Sequence, residues 1–212
     1  MRTETKLTIM VSSTVYGIEE LLERIYTLLT MFGYEFWMSH KGTVPVFSSR
    51  SAFDNCIAAT EKCDLFLGLI TPFYGSGKEE GGLSITHREL LRAIELNKPR
   101  WLLAHDHVVF ARSLLNQIGH EGKDSRGKLP LKKSPIMDDL RVVDMYEDAI
   151  LDQMPLHERQ GNWVQKFGSD ADAALFATAQ FSRYQEVEAF LEETLKDSVR
   201  VAQAVREARG GV

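Results

Sequence analysis

The feature that most constrains the fold is an alternation of short apolar runs with amphipathic stretches. Four runs predict β-strands, and they lie at residues 6–11, 34–38, 64–70 and 100–105. Between these runs apolar positions recur at intervals of three and four, which is typical of helices. The predicted helices cover residues 17–32, 50–63 and 85–97. This β-α-β-α-β-α-β order predicts an α/β fold with a mainly parallel sheet, right-handed crossovers and helices on both faces.

The run DLFLGLI at 64–70 is the most hydrophobic, so we expect it to be a central strand that is covered on both faces. Beyond residue 105 the pattern is less regular. We predict helices at 107–118, 138–151 and 170–179, a fifth strand at 162–167 and a long amphipathic helix at 182–209. Residues 119–135 are polar, glycine-rich and locally basic, which is typical of an exposed, mobile loop.

These elements predict one α/β domain with an appendage. The domain covers residues 1–169 and contains a helical and loop insertion at about 106–160. Residues 170–212 are expected to form a helical extension that packs on the same domain. Its long helix either covers its own sheet or pairs with a helix of a second subunit.

Charge and composition narrow the classes of partner and the compartment. The 212-residue chain has a formal net charge of −5, which argues against nucleic acid as a main partner. No apolar run approaches the roughly 20 residues that a membrane span needs, and the N-terminus shows no signal-peptide pattern. Cys56 and Cys63 fit neither a redox pair nor a zinc motif, so we expect two buried free thiols. We therefore predict a cytoplasmic protein that does not bind membranes.

The carboxyl ends of the predicted strands collect polar side chains. Parallel strands place these ends at the same edge of the sheet, where open α/β sheets bind ligands. The residues delivered there are Ser12, Ser13 and Thr14; Ser39, His40 and Lys41; Thr71, Pro72, Phe73, Tyr74 and Gly75; and His105, Asp106 and His107. Such an edge suits a small polar ligand.

The three hydroxyl residues Ser12, Ser13 and Thr14 lie between a strand and the start of a helix. Backbone N–H groups and the helix dipole favour an anion at such a place, and the hydroxyls can bind phosphate or ribose. The alternative is that they only shape the turn and cap the helix. Neither a dinucleotide fingerprint nor a P-loop is present, so the pattern does not name the ligand.

Glu89, early in the third predicted helix, is the candidate catalytic carboxylate. A carboxylate at a cleft can stabilise the sugar cation that forms when an N-glycosidic bond breaks. The alternative is structural, because Thr86 and Glu89 fit a T-x-x-E capping box. Glu79 and Glu80 are further carboxylates, in a glycine-rich loop that would hold them poorly.

His105, Asp106 and His107 offer metal-ligating groups at the end of the fourth strand. Asp106 as the N-cap of the next helix is the preferred interpretation, so we predict no metal site.

A set of spaced motifs resembles a TIR-like family of unknown function. The motifs are V-S-S-T-V-Y-G-I at 11–18, Cys63-Asp64-Leu65-Phe66, Phe73-Tyr74-Gly75-Ser76, Ser84-Ile85-Thr86-x-x-Glu89 and Asn97-Lys98-Pro99. The resemblance covers residues 7–105 and continues through Asp138-Asp139-Leu140-Arg141-Val142, Met145-Tyr146 and Gly161-Asn162-Trp163-Val164-Gln165. It departs from the family at Gly17, where an acidic residue is common, and at His87, where a second glutamate is common.

The resemblance implies a flavodoxin-like, TIR-like three-layer α/β/α fold with about five strands. It also implies nucleotide recognition, often of NAD, in bacterial stress or anti-phage signalling. Glu89 matches the position of the catalytic glutamate of TIR enzymes. No cofactor is required, since NAD or a related nucleotide would be the substrate. The candidate ligand-binding residues are Ser12, Ser13, Thr14, Tyr16, His40, Phe73, Tyr74, Gly75, Ser84 and His105.

Two functions from different classes follow. The first is a nucleotide hydrolase or transferase that acts on an N-glycosidic bond through Glu89, with Phe73 or Tyr74 stacked on a base. The second is a non-catalytic module that senses a nucleotide or assembles with a partner. That partner would be a second copy of the chain or a separately encoded effector or sensor protein.

Overall fold

The computed structural model describes residues 6–75, 82–132 and 134–183. One parallel sheet of five strands has the order β2-β1-β3-β4-β5. The strands are β1 Thr8–Ser13, β2 Glu35–Trp37, β3 Leu65–Ile70, β4 Arg100–His105 and β5 Val164–Phe167. All six residues of β3 are buried at the centre of the sheet, which confirms the expectation from its continuous apolar run.

Seven α-helices accompany the strands within the described residues. They are α1 Glu19–Met31, α2 Ala52–Lys62, α3 Ile85–Glu95, α4 Asp106–Gln117, α5 Lys123–Arg126, α6 Arg141–Ala149 and α7 Asp170–Phe181. Short 3₁₀ helices lie at Ser39–Lys41 and Leu156–Glu158. The helix predicted at 107–118 is confirmed as α4, which contains His107, and the helix predicted at 138–151 begins at residue 141. None of the helices in these described ranges has the length and apolar character needed to cross a bilayer.

Alternating side chains of the sheet form two separate cores. Ile9, Leu67 and their neighbours pack against α1 and α7, with Phe181 fully buried. Met10, Phe66 and their neighbours pack against α2, α3, α4 and α6. Successive residues of a strand point to opposite faces of the sheet, so the strands contribute apolar side chains to both cores. The result is the predicted three-layer α/β/α fold.

Most described residues of the segment 119–135 are exposed, as predicted, but the segment contains a short helix and is not a loop throughout. Its helix α5 buries Arg126, which is 1% exposed. The guanidinium Nε and Nη2 donate to Asp144 at 2.9 and 2.7 Å, and Nη1 donates to Glu147 at 3.2 Å. Both carboxylates come from α6. The prediction was wrong for Arg126. A basic residue is expected to be exposed to solvent unless buried partners are known, and these partners could not be identified from the sequence.

Helix α7 confirms the short helix predicted at 170–179 and extends it to Phe181. Ser169 and Asp172 form a capping box at its start, and Phe181 packs edge to face on Tyr34 at 5.7 Å between ring centroids. The long helix predicted at 182–209 lies almost entirely outside the described residues. Glu79 and Glu80 also lie outside them. The division of the chain at residue 169 stays a prediction.

Candidate functional site

A cavity of about 390 Å³ lies at the carboxyl end of β1, beside the crevice between β1 and β3. In the strand order 2-1-3-4-5 the chain reverses direction across this crevice, which is where ligands bind in folds of this kind. Residues from the ends of β1 and β2, from α2 and from the start of α3 form the wall. The lining residues are Val11, Ser12, Ser13, Thr14, Val15, Tyr16, Ser39, Ala52, Cys56, Gly75, Ile85, Thr86 and Glu89.

Glu89 lies at the inner end of this cavity and is 4% exposed. Ser12, on the face of β1 that meets α2 and α3, donates its hydroxyl to Glu89 Oε2. The capping-box interpretation is wrong, because the N-cap of α3 is Ser84, whose Oγ accepts from the His87 N–H at 3.3 Å. Glu89 is therefore inside the helix and directed at the sheet. The serine that precedes Ile85 was a visible cap signal in the sequence.

Cys56 is the site residue that sequence reasoning missed. It lies on the buried side of α2 and lines the same cavity as Glu89. Its helical periodicity marked it only as a core thiol. No local pattern could show that α2 brings it to the same cavity as Glu89 of α3.

Burial controls the ionisation of both groups. Desolvation raises the pKa of Glu89 to about 7, although the hydrogen bond from Ser12 favours its charged form. Desolvation, together with the neighbouring Glu89, raises the pKa of the Cys56 thiol to about 12. Near neutral pH the carboxyl group can therefore gain or lose a proton, whereas the thiol stays protonated.

This raised pKa predicts a pH-dependent stability. The pKa of Glu89 rises from 4.5 in its usual state to about 7 in the folded protein, so the folded state binds the proton more tightly. The resulting stabilisation is fully present below pH 4.5 and is lost as the pH rises through 7, with a total of about 3 kcal/mol. We expect the free energy of unfolding of the wild type, relative to Glu89→Gln, to fall by about this amount between pH 4.5 and about pH 8. Urea denaturation measures it, and parallel pH curves for the two proteins would contradict it.

The three consecutive hydroxyl residues have three different partners. Ser12 binds Glu89, and Ser13 Oγ donates to the Thr14 carbonyl at 2.9 Å while its residue lines the cavity. Thr14 Oγ1 lies 2.5 Å from Thr71 Oγ1 and donates to the Phe73 carbonyl at 3.0 Å. Thr14 thus ties the end of β1 to the end of β3.

Gly75 packs directly on Thr14. Its φ of +88° favours glycine, and a Cβ there would lie 2.6 Å from Thr14 Cγ2. The side of the cavity next to β3 therefore depends on a glycine at this position. Tyr16, 65% exposed, lies in the lining as well.

Tyr74 and Phe73, predicted to stack on a base, do not line this cavity. Tyr74 is buried, and its hydroxyl lies 2.7 Å from His87 Nδ1. His87 Nε2 lies 2.8 Å from Asp148 Oδ2, and Lys123 Nζ donates to Asp148 Oδ1 at 2.8 Å. The histidine that departs from the family pattern thus belongs to a buried polar chain behind the cavity.

His40, Ser84 and His105 also lie outside the cavity lining. His40 is exposed in the 3₁₀ helix after β2, and Ser84 caps α3. His105 is the N-cap of α4, since its Nδ1 accepts from the His107 N–H at 3.1 Å. The assignment of that cap to Asp106 was therefore wrong. Across residues 6–75, 82–132 and 134–183, no cluster of three or more His, Cys, Asp or Glu residues is arranged to hold a metal ion.

The start of α1 is less suited to an anion than its sequence indicated. The helix begins at Glu19, and Glu19 and Glu20 occupy its first turn. Their carboxylates already complement the positive end of the helix dipole. A phosphate at this end would meet two negative charges.

Fold and cavity together define an α/β protein with the flavodoxin-like strand order and a carboxyl group buried beside the β1–β3 crevice. The chain belongs to the family described as Domain of unknown function (DUF4062), whose family model matches residues 8–196. No curated protein matches the chain.

Proposed function

We propose that this protein binds a nucleotide or nucleoside at the cavity of Glu89 and cleaves its N-glycosidic bond. The observation that carries the proposal is the Glu89 carboxyl group, held by Ser12 at the inner end of a cavity with room for a sugar and a base. The matching position of Glu89 in TIR enzymes supports it. We infer a relation to TIR-like domains, with NAD or a related nucleotide as the substrate.

The chemistry follows from a carboxylate beside a sugar. When the bond between C1′ and the base nitrogen breaks, the base keeps the electron pair and positive charge develops on C1′ and the ring oxygen. A carboxylate there stabilises that charge in a water-poor site. Water then adds its hydroxyl to C1′. Its proton goes to the departing base, or to solvent when the base leaves from a cationic pyridinium.

The lining favours the sugar and base over the phosphate as the occupant. Besides Glu89 it offers hydroxyl residues such as Ser13 and Thr86, and apolar surface from Val15 and Ile85. Among the residues that the structure describes, no lysine, arginine or histidine lines the cavity. Hydroxyls can bind ribose oxygens and apolar walls can contact a base, whereas a phosphate buried here would lack a counter-charge. We place the phosphates of a nucleotide outside the cavity.

The test is release of the free base. Concentrated protein is incubated with NAD, NADP, adenosine and inosine, and the products are separated by chromatography. We expect nicotinamide from the dinucleotides or the free purine base from the nucleosides, in amounts that grow with time and protein concentration. Intact substrates in every arm would contradict the hydrolase function.

A second candidate is a module that binds the same ligand without turning it over, in bacterial stress or anti-phage signalling in the cytoplasm. The observation that favours it is the 4% exposure of Glu89, whose carboxyl group accepts a hydrogen bond from Ser12. A ligand that binds only the folded state raises the melting temperature. A ligand-induced rise in melting temperature without base release would support the sensing function. The partner of such a module would be a second copy of the chain or a separately encoded effector or sensor protein.

A further inference from the structure

Tyr16 is an exposed aromatic residue at the mouth of the Glu89 cavity. It lines the cavity and is 65% exposed, whereas Glu89 at the inner end is 4% exposed. Within the described part of the chain, no other aromatic residue lines this cavity. The Tyr16 side chain makes no hydrogen bond, ring contact or ion pair with any described residue. Its ring and its hydroxyl are therefore available to a ligand.

The turn that carries Tyr16 is anchored on both sides. The Ile18 N–H donates to the Val15 carbonyl at 3.3 Å, and both side chains pack in the core that α1 and α7 share with the sheet. Gly17, inside the turn, has a φ of +79°, a backbone conformation that favours glycine. The backbone of Tyr16 is therefore held at the cavity mouth while its side chain stays accessible.

Phe73 supports this turn and does not line the cavity. Its carbonyl accepts from Thr14 Oγ1 at 3.0 Å, two residues before Tyr16. Its ring lies beside Gly17, where an added Cβ would be 3.2 Å from the ring atom Cε2. Of these two aromatic residues, Phe73 thus fixes the turn and Tyr16 faces the cavity.

We propose that Tyr16 is the residue that binds the base, and that its ring covers one face of the base at the cavity mouth. This inference deepens the proposed function and rests on it, because it takes the occupant to be a nucleoside or a nucleotide. With C1′ of the sugar beside Glu89, the base bonded to C1′ extends toward the mouth, where Val15 and Tyr16 form the wall. Every base has a π face on which an aromatic side chain can stack.

Stacking makes a specific demand on the side chain at position 16. Tyr16→Ala removes the ring, so the Kd of a bound nucleoside or nucleotide should rise about 10-fold. Tyr16→Phe keeps the ring and loses only a hydroxyl without a partner, so its Kd should stay within about 2-fold of the wild-type value. Tyr16→Leu keeps apolar bulk without a π face and should bind more weakly than Tyr16→Phe.

The experiment is isothermal titration calorimetry with NAD, NADP, adenosine and inosine. Each variant is measured with Glu89 intact and in a Glu89→Gln background, which separates binding from turnover. Phe110→Ala is the matched control, since it removes a ring that is 68% exposed on α4 and does not line the cavity. We expect this control to bind like the wild type. Where base is released, Tyr16→Ala should raise KM and leave kcat within about 2-fold, because stacking stabilises ground state and transition state alike.

The outcomes separate this inference from the proposed function. Equal Kd values for Tyr16→Ala and Phe110→Ala would overturn the inference, and so would a Tyr16→Phe variant that binds as weakly as Tyr16→Ala. Base release with an unchanged KM in Tyr16→Ala would remove Tyr16 from the site and leave the hydrolase function standing. Weaker binding in Tyr16→Ala without base release from the wild type would support the role of Tyr16 and remove the hydrolase function. A wild type that binds none of the four compounds would overturn both.

Discussion

Replacing Glu89 by glutamine is expected to lower the rate of base release by about 10³-fold while the ligand still binds. Glutamine has the size of glutamate but no charge to stabilise the sugar cation. The amide can still occupy the same space beside Ser12, so the cavity should keep its shape. The measurement is the rate of base release at saturating substrate, with the ligand-induced rise in melting temperature as the readout of binding.

The matched control is Glu95→Gln on the same helix. Glu95 is 68% exposed at its side chain and pairs with Arg92 on the solvent side of α3. This variant makes the same chemical change away from the cavity, and we expect it to release base at the wild-type rate. Equal activity of Glu89→Gln and Glu95→Gln would remove Glu89 from the mechanism.

The second large effect is on stability. Arg126→Met is expected to lower the free energy of unfolding by about 3–5 kcal/mol. The methionine fills much of the space of the arginine, but it leaves the carboxylates of Asp144 and Glu147, 8% and 5% exposed, without their buried cation. Arg112, a more exposed residue, also donates to Glu147, so it compensates for only part of the lost positive charge. Urea denaturation measures the loss.

Two further variants show whether charge causes this loss. Lys128→Met removes an exposed cation from the same segment and should change stability by less than about 0.5 kcal/mol. Adding Asp144→Asn to Arg126→Met removes one of the unpaired buried charges and should recover part of the stability. A loss in Arg126→Met of less than about 1 kcal/mol would mean that the buried ion pairs do not anchor α5.

The layers and the strand sequence were predictable because they depend on local periodicity. Alternation in β1 and a continuous apolar run in β3 encode which face of each strand is buried, and this held in the two cores. The fate of Arg126 was not predictable in the same way. Its burial depends on two carboxylates of a helix that begins fifteen residues later. From its charge alone, an arginine is expected to be exposed.

The candidate site was predictable as a region but not as a set of contacts. The rule for parallel sheets brought Ser12 to the correct edge, and the residues carried no information that its hydroxyl would meet Glu89, 77 positions away. The aromatic residues at 73 and 74 follow a strand that ends at the same edge. Tyr74 nevertheless points to His87, because the buried Nδ1 there is a hydrogen-bond partner for its hydroxyl. The partner of each side chain depends on which face of a neighbouring helix packs against the strand end. The periodicity of the sequence does not specify that packing.

The polar chain behind the cavity has a consequence for how the molecule opens. Tyr74 donates its N–H to Asp138 at 2.8 Å, its hydroxyl meets His87, and His87 continues to Asp148 on α6. Arg141 at the start of α6 also binds the Gly82 carbonyl, next to α3. Local unfolding of α6 would therefore remove Asp148 from the buried His87 side chain and Arg141 from the Gly82 carbonyl, so both of these groups would lose a hydrogen-bond partner. We therefore expect α6 and the start of α3, though distant along the chain, to open as one cooperative unit.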